Sequence, residues 1–193
     1  MQATAAVLAA PRPGARRLLV VNQFRSDFRP QVLLVTAARG DKAGRLWYRV
    51  EHSTREGRVT GWVIGAALSV ESVPERLVIR RGARVLELYR GRRLLLRIRV
   101  AVGKPGAETP LGRFYITAKF RPTLPVLGKY ALETSAHSKL TDWPGGGIVG
   151  IHGTADPSQL GRAVSHGCVR VFNDAILRLK QLVPLGAVVV IMP

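Results

Sequence analysis

Ile148-Val149-Gly150-Ile151-His152-Gly153-Thr154 and, one polar loop later, Ser165-His166-Gly167-Cys168-Val169-Arg170 carry the residues on which the reading of this chain turns. The first stretch is an apolar strand with His152 near its end, where a side chain can be held rigidly at a sheet edge. The second holds the chain's one cysteine, so an intrachain disulfide is impossible. A lone cysteine is by default a small buried hydrophobe. One flanked by His166, Gly167 and Arg170 is a candidate for chemistry instead. A free thiol with a pKa of about 8.5 is mostly protonated at neutral pH, and a neighbouring histidine can lower that value. The loop between the stretches, with Asp156-Pro157 and Gly161, is long enough to bring His152 and Cys168 within hydrogen-bond reach. Glycine at 167 lets backbone N–H groups around the nucleophile face a developing oxyanion, a contribution of roughly 10²–10³ in rate. Arg170 points the same way as Cys168 on an extended segment and can clamp a substrate carboxylate.

Other readings of these residues stay open. Cys168 can be core. His152, His166 and Cys168 can hold zinc, although His-X-Cys is an uncommon zinc spacing and no fourth or carboxylate ligand is evident. The residue order does not fit a cysteine phosphatase, and papain-like signatures are missing.

Upstream, the pattern is that of strands. Leu94, Leu96, Ile98, Val100 and Val102 alternate with Leu95, Arg97, Arg99 and Ala101; Phe114, Ile116, Ala118 and Phe120 alternate with Arg113, Tyr115, Thr117 and Lys119. Period two predicts half-buried strands. Gly91 sits in a tight turn between Leu86–Tyr89 and Leu94–Val102, a hairpin. Downstream, Ile176, Leu177, Leu179 and Leu182 give one helix an apolar face, capped by Asn173 or Asp174 and ended by Pro184 and Gly186. Ala187 to Ile191 is a closing strand.

Pro74 marks a boundary. Before it, Leu18–Val21, Val32–Thr36, Leu46–Val50 and Gly61–Ile64 read as short strands of a small β-barrel, with Trp47 and Trp62 as core candidates. Thr4 to Pro11 is an Ala-rich run with no positive residue before it and Arg12, Arg16 and Arg17 after it, which is not a convincing signal peptide. If the protein is exported, the start is truncated or mis-called.

The 193 residues are 47% hydrophobic and 22% charged, an ordinary globular composition, and no uncharged stretch is long enough to cross a bilayer. Thirty Lys and Arg against twelve Asp and Glu give a net charge of +18. Such a field attracts polyanions. Three readings suit it: an arginine-rich solvated surface, a preference for acidic wall polymers, or nucleic acid. No helix-turn-helix, zinc-finger or RNA-recognition pattern supports the last.

The segments His152-Gly153-Thr154 and Ser165-His166-Gly167-Cys168-Val169-Arg170 closely resemble the active-site signature of the L,D-transpeptidase (YkuD-type) family. The resemblance extends through Val102-Gly103-Lys104-Pro105-Gly106, Thr109-Pro110-Leu111-Gly112-Arg113-Phe114 and Ser135-Ala136-His137-Ser138, and covers about residues 75–193. Residues 14–70 resemble bacterial SH3-like domains more weakly, through an aromatic strand, a turn, Gly61-Trp62-Val63 and Leu68. The resemblances imply a mainly β chain. Residues 1–73 would form an SH3-like β-barrel, wall-binding or structural. Residues 74–193 would form a β-sandwich-like catalytic domain with one or two short helices. They imply that Cys168 is the nucleophile and His152 the base, that the Gly153 carbonyl fixes the imidazole tautomer, and that Gly167 and Cys168 N–H groups form the oxyanion hole. Arg170, His166, Ser165 and His137 are the remaining site candidates, Ser165 as a local hydrogen-bonding residue that orients the loop. His137 either lines the cleft or caps a buried turn.

The implied reaction cleaves the terminal D-Ala from peptidoglycan stem tetrapeptides through a Cys168 thioester, forms 3→3 cross-links, needs no metal or organic cofactor, and is blocked by carbapenem β-lactams. It is expected outside the cytoplasm, in the cell wall or periplasm. Water as acceptor would make the same site a carboxypeptidase, and a protein lysine would make it an anchoring enzyme. Two rivals of other classes are a non-catalytic wall-binding protein and a basic nucleic-acid binder; no base-reading module favours a specific nucleic acid.

Overall fold

Branched and aromatic residues alternating with polar ones put most of this chain into strands. The computed structural model describes residues 3–54, 56–138 and 146–193, in two units, Met1–Ser72 and Val73–Pro193.

The first unit is an antiparallel sheet of β1 (Thr4–Leu8), β2 (Arg17–Asn22), β3 (Leu34–Gly40), β4 (Leu46–Thr54) and β5 (Gly57–Ile64), in the order β2-β1-β5-β4-β3. Val7, Val21, Val50 and Val63 make its core. Trp47 is also buried while Trp62 is only half-buried. A buried indole needs a partner, and Trp47 Nε1 donates to Asp41 Oδ2 at 3.0 Å. This bond is the main reason the Asp41 carboxyl is held at about 2. The Ala-rich run weighed above as a leader contains β1, which pairs with β2 from Thr4 opposite Asn22 to Leu8 opposite Arg17.

The second unit contains β6 (Glu75–Arg80), β7 (Val85–Arg90), β8 (Arg93–Arg99), β9 (Val102–Gly103), β10 (Gly112–Phe120), β11 (Ala131–His137), β12 (Ile148–Thr154), β13 (Ala163–Ser165), β14 (Val169–Phe172), α1 (Asn173–Leu182) and β15 (Val188–Met192). Eight strands form one sheet in the order β14-β12-β11-β10-β15-β6-β7-β8. The two ends of that sheet meet. Ala101, just past β8, exchanges both backbone hydrogen bonds with Arg170 of β14, each 2.9 Å. The sheet therefore nearly closes on itself, which removes its edges. Leu77, Ile79, Leu86, Leu88, Ile116, Leu132 and Ile151 are fully buried within it. Helix α1 packs on β12 and adds Ile176 and Leu179 to the same core. The chain is mainly β with one α-helix among the described residues, as the sequence leads one to expect.

Two local expectations need correction. Leu94 is 47% exposed. Tyr89 pairs with Leu94 and Leu88 with Leu96, so Leu95 is the extra residue of a bulge, which turns Leu94 outward. The helix start is not capped by Asn173 or Asp174. Its N-cap is Phe172, which makes no side-chain capping bond, and Asn173 Oδ1 instead accepts from the Lys129 N–H at 2.9 Å.

Candidate active site

The parallel pairing of β12 with β14 sets His152 opposite Arg170 and leaves Cys168 at the mouth of β14. His152 and Cys168 line one small recess with Ser138, Gly147, Ile148, Val149, His166 and Arg170. Its volume is about 20 Å³, room for about one water as it stands.

His152 is only 3% exposed. Its Nδ1 lies 2.9 Å from the Gly153 carbonyl. A carbonyl only accepts, so Nδ1 carries the proton and Nε2 keeps a lone pair. Burial pushes the imidazole pKa down to about 4, with the Arg170 charge acting the same way and the Gly153 and Leu127 carbonyls opposing. A Cβ at Gly153 would run into Asn173 Oδ1 and Ile176. Only glycine lets α1 approach the strand that holds His152.

Cys168 Sγ accepts a hydrogen bond from the Gly150 N–H at 3.4 Å. Burial pushes the thiol pKa up, against the Gly150 N–H and the Arg170 charge. The pair is thus a thiol and a neutral imidazole at neutral pH. The sequence argument for a thiol pKa lowered by its histidine does not hold in this state, because desolvation penalises both charged forms.

The loop before Cys168 is tied down by hydroxyls. Ser165, fully buried, donates through Oγ to the Cys168 carbonyl and accepts from the Gly167 N–H at 3.2 Å. This corrects the expected oxyanion hole: the Gly167 N–H is already engaged, and of the two expected donors the Cys168 N–H is the one left. Gly167 has φ +115°, a conformation reserved in practice for glycine. Sequence reasoning did not single out Thr109, also fully buried. It accepts from the Gly103 N–H at 2.9 Å and donates to the Gly167 carbonyl at 2.9 Å. Its sequence signal was its place in the Thr109-Pro110-Leu111-Gly112-Arg113-Phe114 stretch of the family resemblance.

Residues 74–191 match the family described as YkuD, L,D-transpeptidase catalytic domain. This chain belongs to that family. A YkuD protein of Bacillus licheniformis, whose name assigns the L,D-transpeptidase activity provisionally, is 34% identical over 131 residues, 68% of this chain and 73% of its own. L,D-transpeptidase 3 from Mycobacterium tuberculosis has a similar fold, with a TM-score of 0.54 at 12% identity over 84% of this chain and 95% of its own. The L,D-transpeptidase LdtMt1, solved in complex with imipenem, gives 0.51 at 14% identity over all of both chains. At such identities the likeness is one of fold. No comparison extends the SH3-like reading of the first unit.

In this YkuD domain the recess gathers Cys168, His152, His166 and Arg170 of the candidates read from the sequence. His166 is exposed, and its carbonyl accepts from Ser138 Oγ at 3.4 Å. Arg170 Nη1 donates to Gln159 Oε1 at 2.8 Å, and Gln159 in turn donates to Asp156 Oδ2 at 3.0 Å. Arg170 Nε is buried without a partner. His137 is not among the recess residues; it ends β11 opposite Ile148, on a strand and not in a turn. Among the described residues no three His, Cys, Asp or Glu side chains converge on a metal position, so the zinc reading finds no ligand set. No helix of the described residues is long and apolar enough to cross a membrane.

Proposed function

We propose that this YkuD chain acts on peptidoglycan stem tetrapeptides, with Cys168 as nucleophile and His152 as general base. The observation that carries the proposal is the buried, neutral His152, its Nδ1 tied to the Gly153 carbonyl, facing the same recess as the one cysteine. An imidazole in that tautomer is ready to accept a proton. His152 Nε2 takes the thiol proton as Sγ attacks the carbonyl between the third residue and the terminal D-Ala. A C–S bond forms, and the carbonyl electron pair moves to an oxyanion held by the Cys168 N–H. Collapse breaks the C–N bond, and D-Ala leaves with the proton from His152. The side-chain amine of a second stem then attacks the thioester, makes the 3→3 amide and returns a proton to sulfur.

Arg170 binds a donor carboxylate in this reading through the guanidinium edge of its unpartnered Nε and Nη2, while Nη1 is held by Gln159. Carbapenems would acylate Cys168 by the same steps. The +18 charge suits an acidic wall environment, and the chain would work outside the cytoplasm, with the first unit as an SH3-like wall-binding or structural module.

Incubating the purified protein with a disaccharide tetrapeptide tests the proposal. Release of D-Ala with a cross-linked dimer is the expected result. D-Ala release without dimer would make it a carboxypeptidase or a protein-anchoring enzyme, and no D-Ala release would overturn the catalytic reading.

A further inference from the structure

Three successive peptide planes around Cys168 are held by two buried hydroxyls. Ser165 Oγ takes the Gly167 N–H on one side and gives to the Cys168 carbonyl on the other. Thr109 Oγ1 gives to the Gly167 carbonyl between them, at 2.9 Å. That middle plane is the one that matters for acyl transfer. A peptide unit is planar and trans, so its C=O and N–H point in opposite directions. Holding the Gly167 carbonyl against Thr109 therefore aims the Cys168 N–H away from Thr109. Gly167 is also where this plane is easiest to turn over, because glycine tolerates both signs of φ.

The anchor behind Thr109 is itself fixed. Thr109 Oγ1 accepts from the Gly103 N–H at 2.9 Å. Gly103 lies in β9, which pairs with Ser165 of β13, and Lys104 N–H donates to the Ser165 carbonyl at 2.9 Å. A Cβ at Gly103 would collide with the backbone of Ala107, Glu108 and Thr109. That glycine thus lets the turn fold back far enough to deliver Thr109 to Gly167.

We infer that Thr109 is a positioning residue of the acyl-transfer site: its hydroxyl locks the Gly167–Cys168 peptide plane and so presents the Cys168 N–H to the oxyanion. The inference rests on the proposed role of Cys168. Thr109 does not touch the substrate, and it acts only where negative charge develops on a carbonyl oxygen.

Two reactions of the same sulfur separate that role from a structural one. Imipenem acylates through an oxyanion: the Sγ–C bond forms, the β-lactam C–N bond breaks, and the thiol proton goes to the ring nitrogen. Iodoacetamide alkylates by displacing iodide, with no oxyanion. Thr109→Val keeps the shape and removes the hydroxyl; Thr109→Ser keeps the hydroxyl. The Val variant is expected to slow imipenem acylation by roughly 10- to 1,000-fold, the upper end matching loss of an oxyanion donor. Its alkylation rate should stay within about threefold, and the Ser variant should recover most of the acylation rate. Should the Val variant not fold, Thr109→Cys, close to Ser in shape with a much weaker hydrogen-bonding group, is used and the same ratio is read on it at Cys168. Equal falls in both rates, or unchanged acylation, would overturn the inference while leaving Cys168 in place. A native protein that imipenem does not acylate would instead remove the reading on which it rests.

Discussion

His152 gives the sharpest expectation among the individual side chains. Burial holds its pKa at about 4, so the base stays competent through the mildly acidic range. The acid limb of kcat/KM for stem-peptide turnover is expected near that value, well below the ordinary histidine value of about 6.5. A limb at 6.5 would take the base role away from His152. Arg170→Lys keeps the charge and loses the planar fork. It should lower kcat/KM for the tetrapeptide by roughly 10- to 100-fold. Alkylation of Cys168 by iodoacetamide should change much less. If both rates and the melting temperature fall together, Arg170 only braces Gln159. Most of this site was legible because the histidine, the cysteine and their flanking glycines are close in sequence. Thr109 and the engaged Gly167 N–H were not. Thr109 depends on a turn and a loop far apart in the chain that are brought together beside the β9–β13 pairing, and the Gly167 N–H bond depends on the rotamer of buried Ser165, two residues before it.

Helix α1 and strand β12 support the site as a pair, and they approach closely at Gly153. A methyl group there meets Asn173 and Ile176 in a packed interior. Gly153→Ala is therefore expected to cost about 1–3 kcal/mol by overpacking, measured by urea unfolding, and to slow acylation more than alkylation as His152 shifts. A neutral effect would mean that α1 is free to move. The strands themselves were readable from period two, and the hairpin turning at Gly91 from its glycine. The misreadings have physical causes. The bulge at Leu95 depends on its partner strand. The Asn173 side chain had a tertiary competitor in the Lys129 N–H, which capping rules cannot see. Strand β1 is Ala-rich and too short to show a clear period.

For the chain as a unit, the same histidine links stability to pH. The unfolded imidazole titrates near 6.5 and the folded one at about 4, so the unfolded state binds more protons between those values. The contribution is present above about 6.5 and is lost as pH falls towards 4, an amount of about 3 kcal/mol. Unfolding free energies of the native protein and His152→Gln, compared at pH 7 and pH 4, should differ in their pH dependence by that order. Groups common to both proteins, the half-buried His52 among them, cancel. Parallel pH dependences would deny that His152 is buried neutral. The acyl-enzyme itself bears on the central claim most directly. After the stem tetrapeptide is mixed with the protein, quenched in acid and digested, mass spectrometry should find the peptide containing Cys168 heavier by the tripeptide acyl group, with D-Ala released and Cys168→Ala inert. An acyl group on any other residue, or D-Ala release by Cys168→Ala at the native rate, would contradict it.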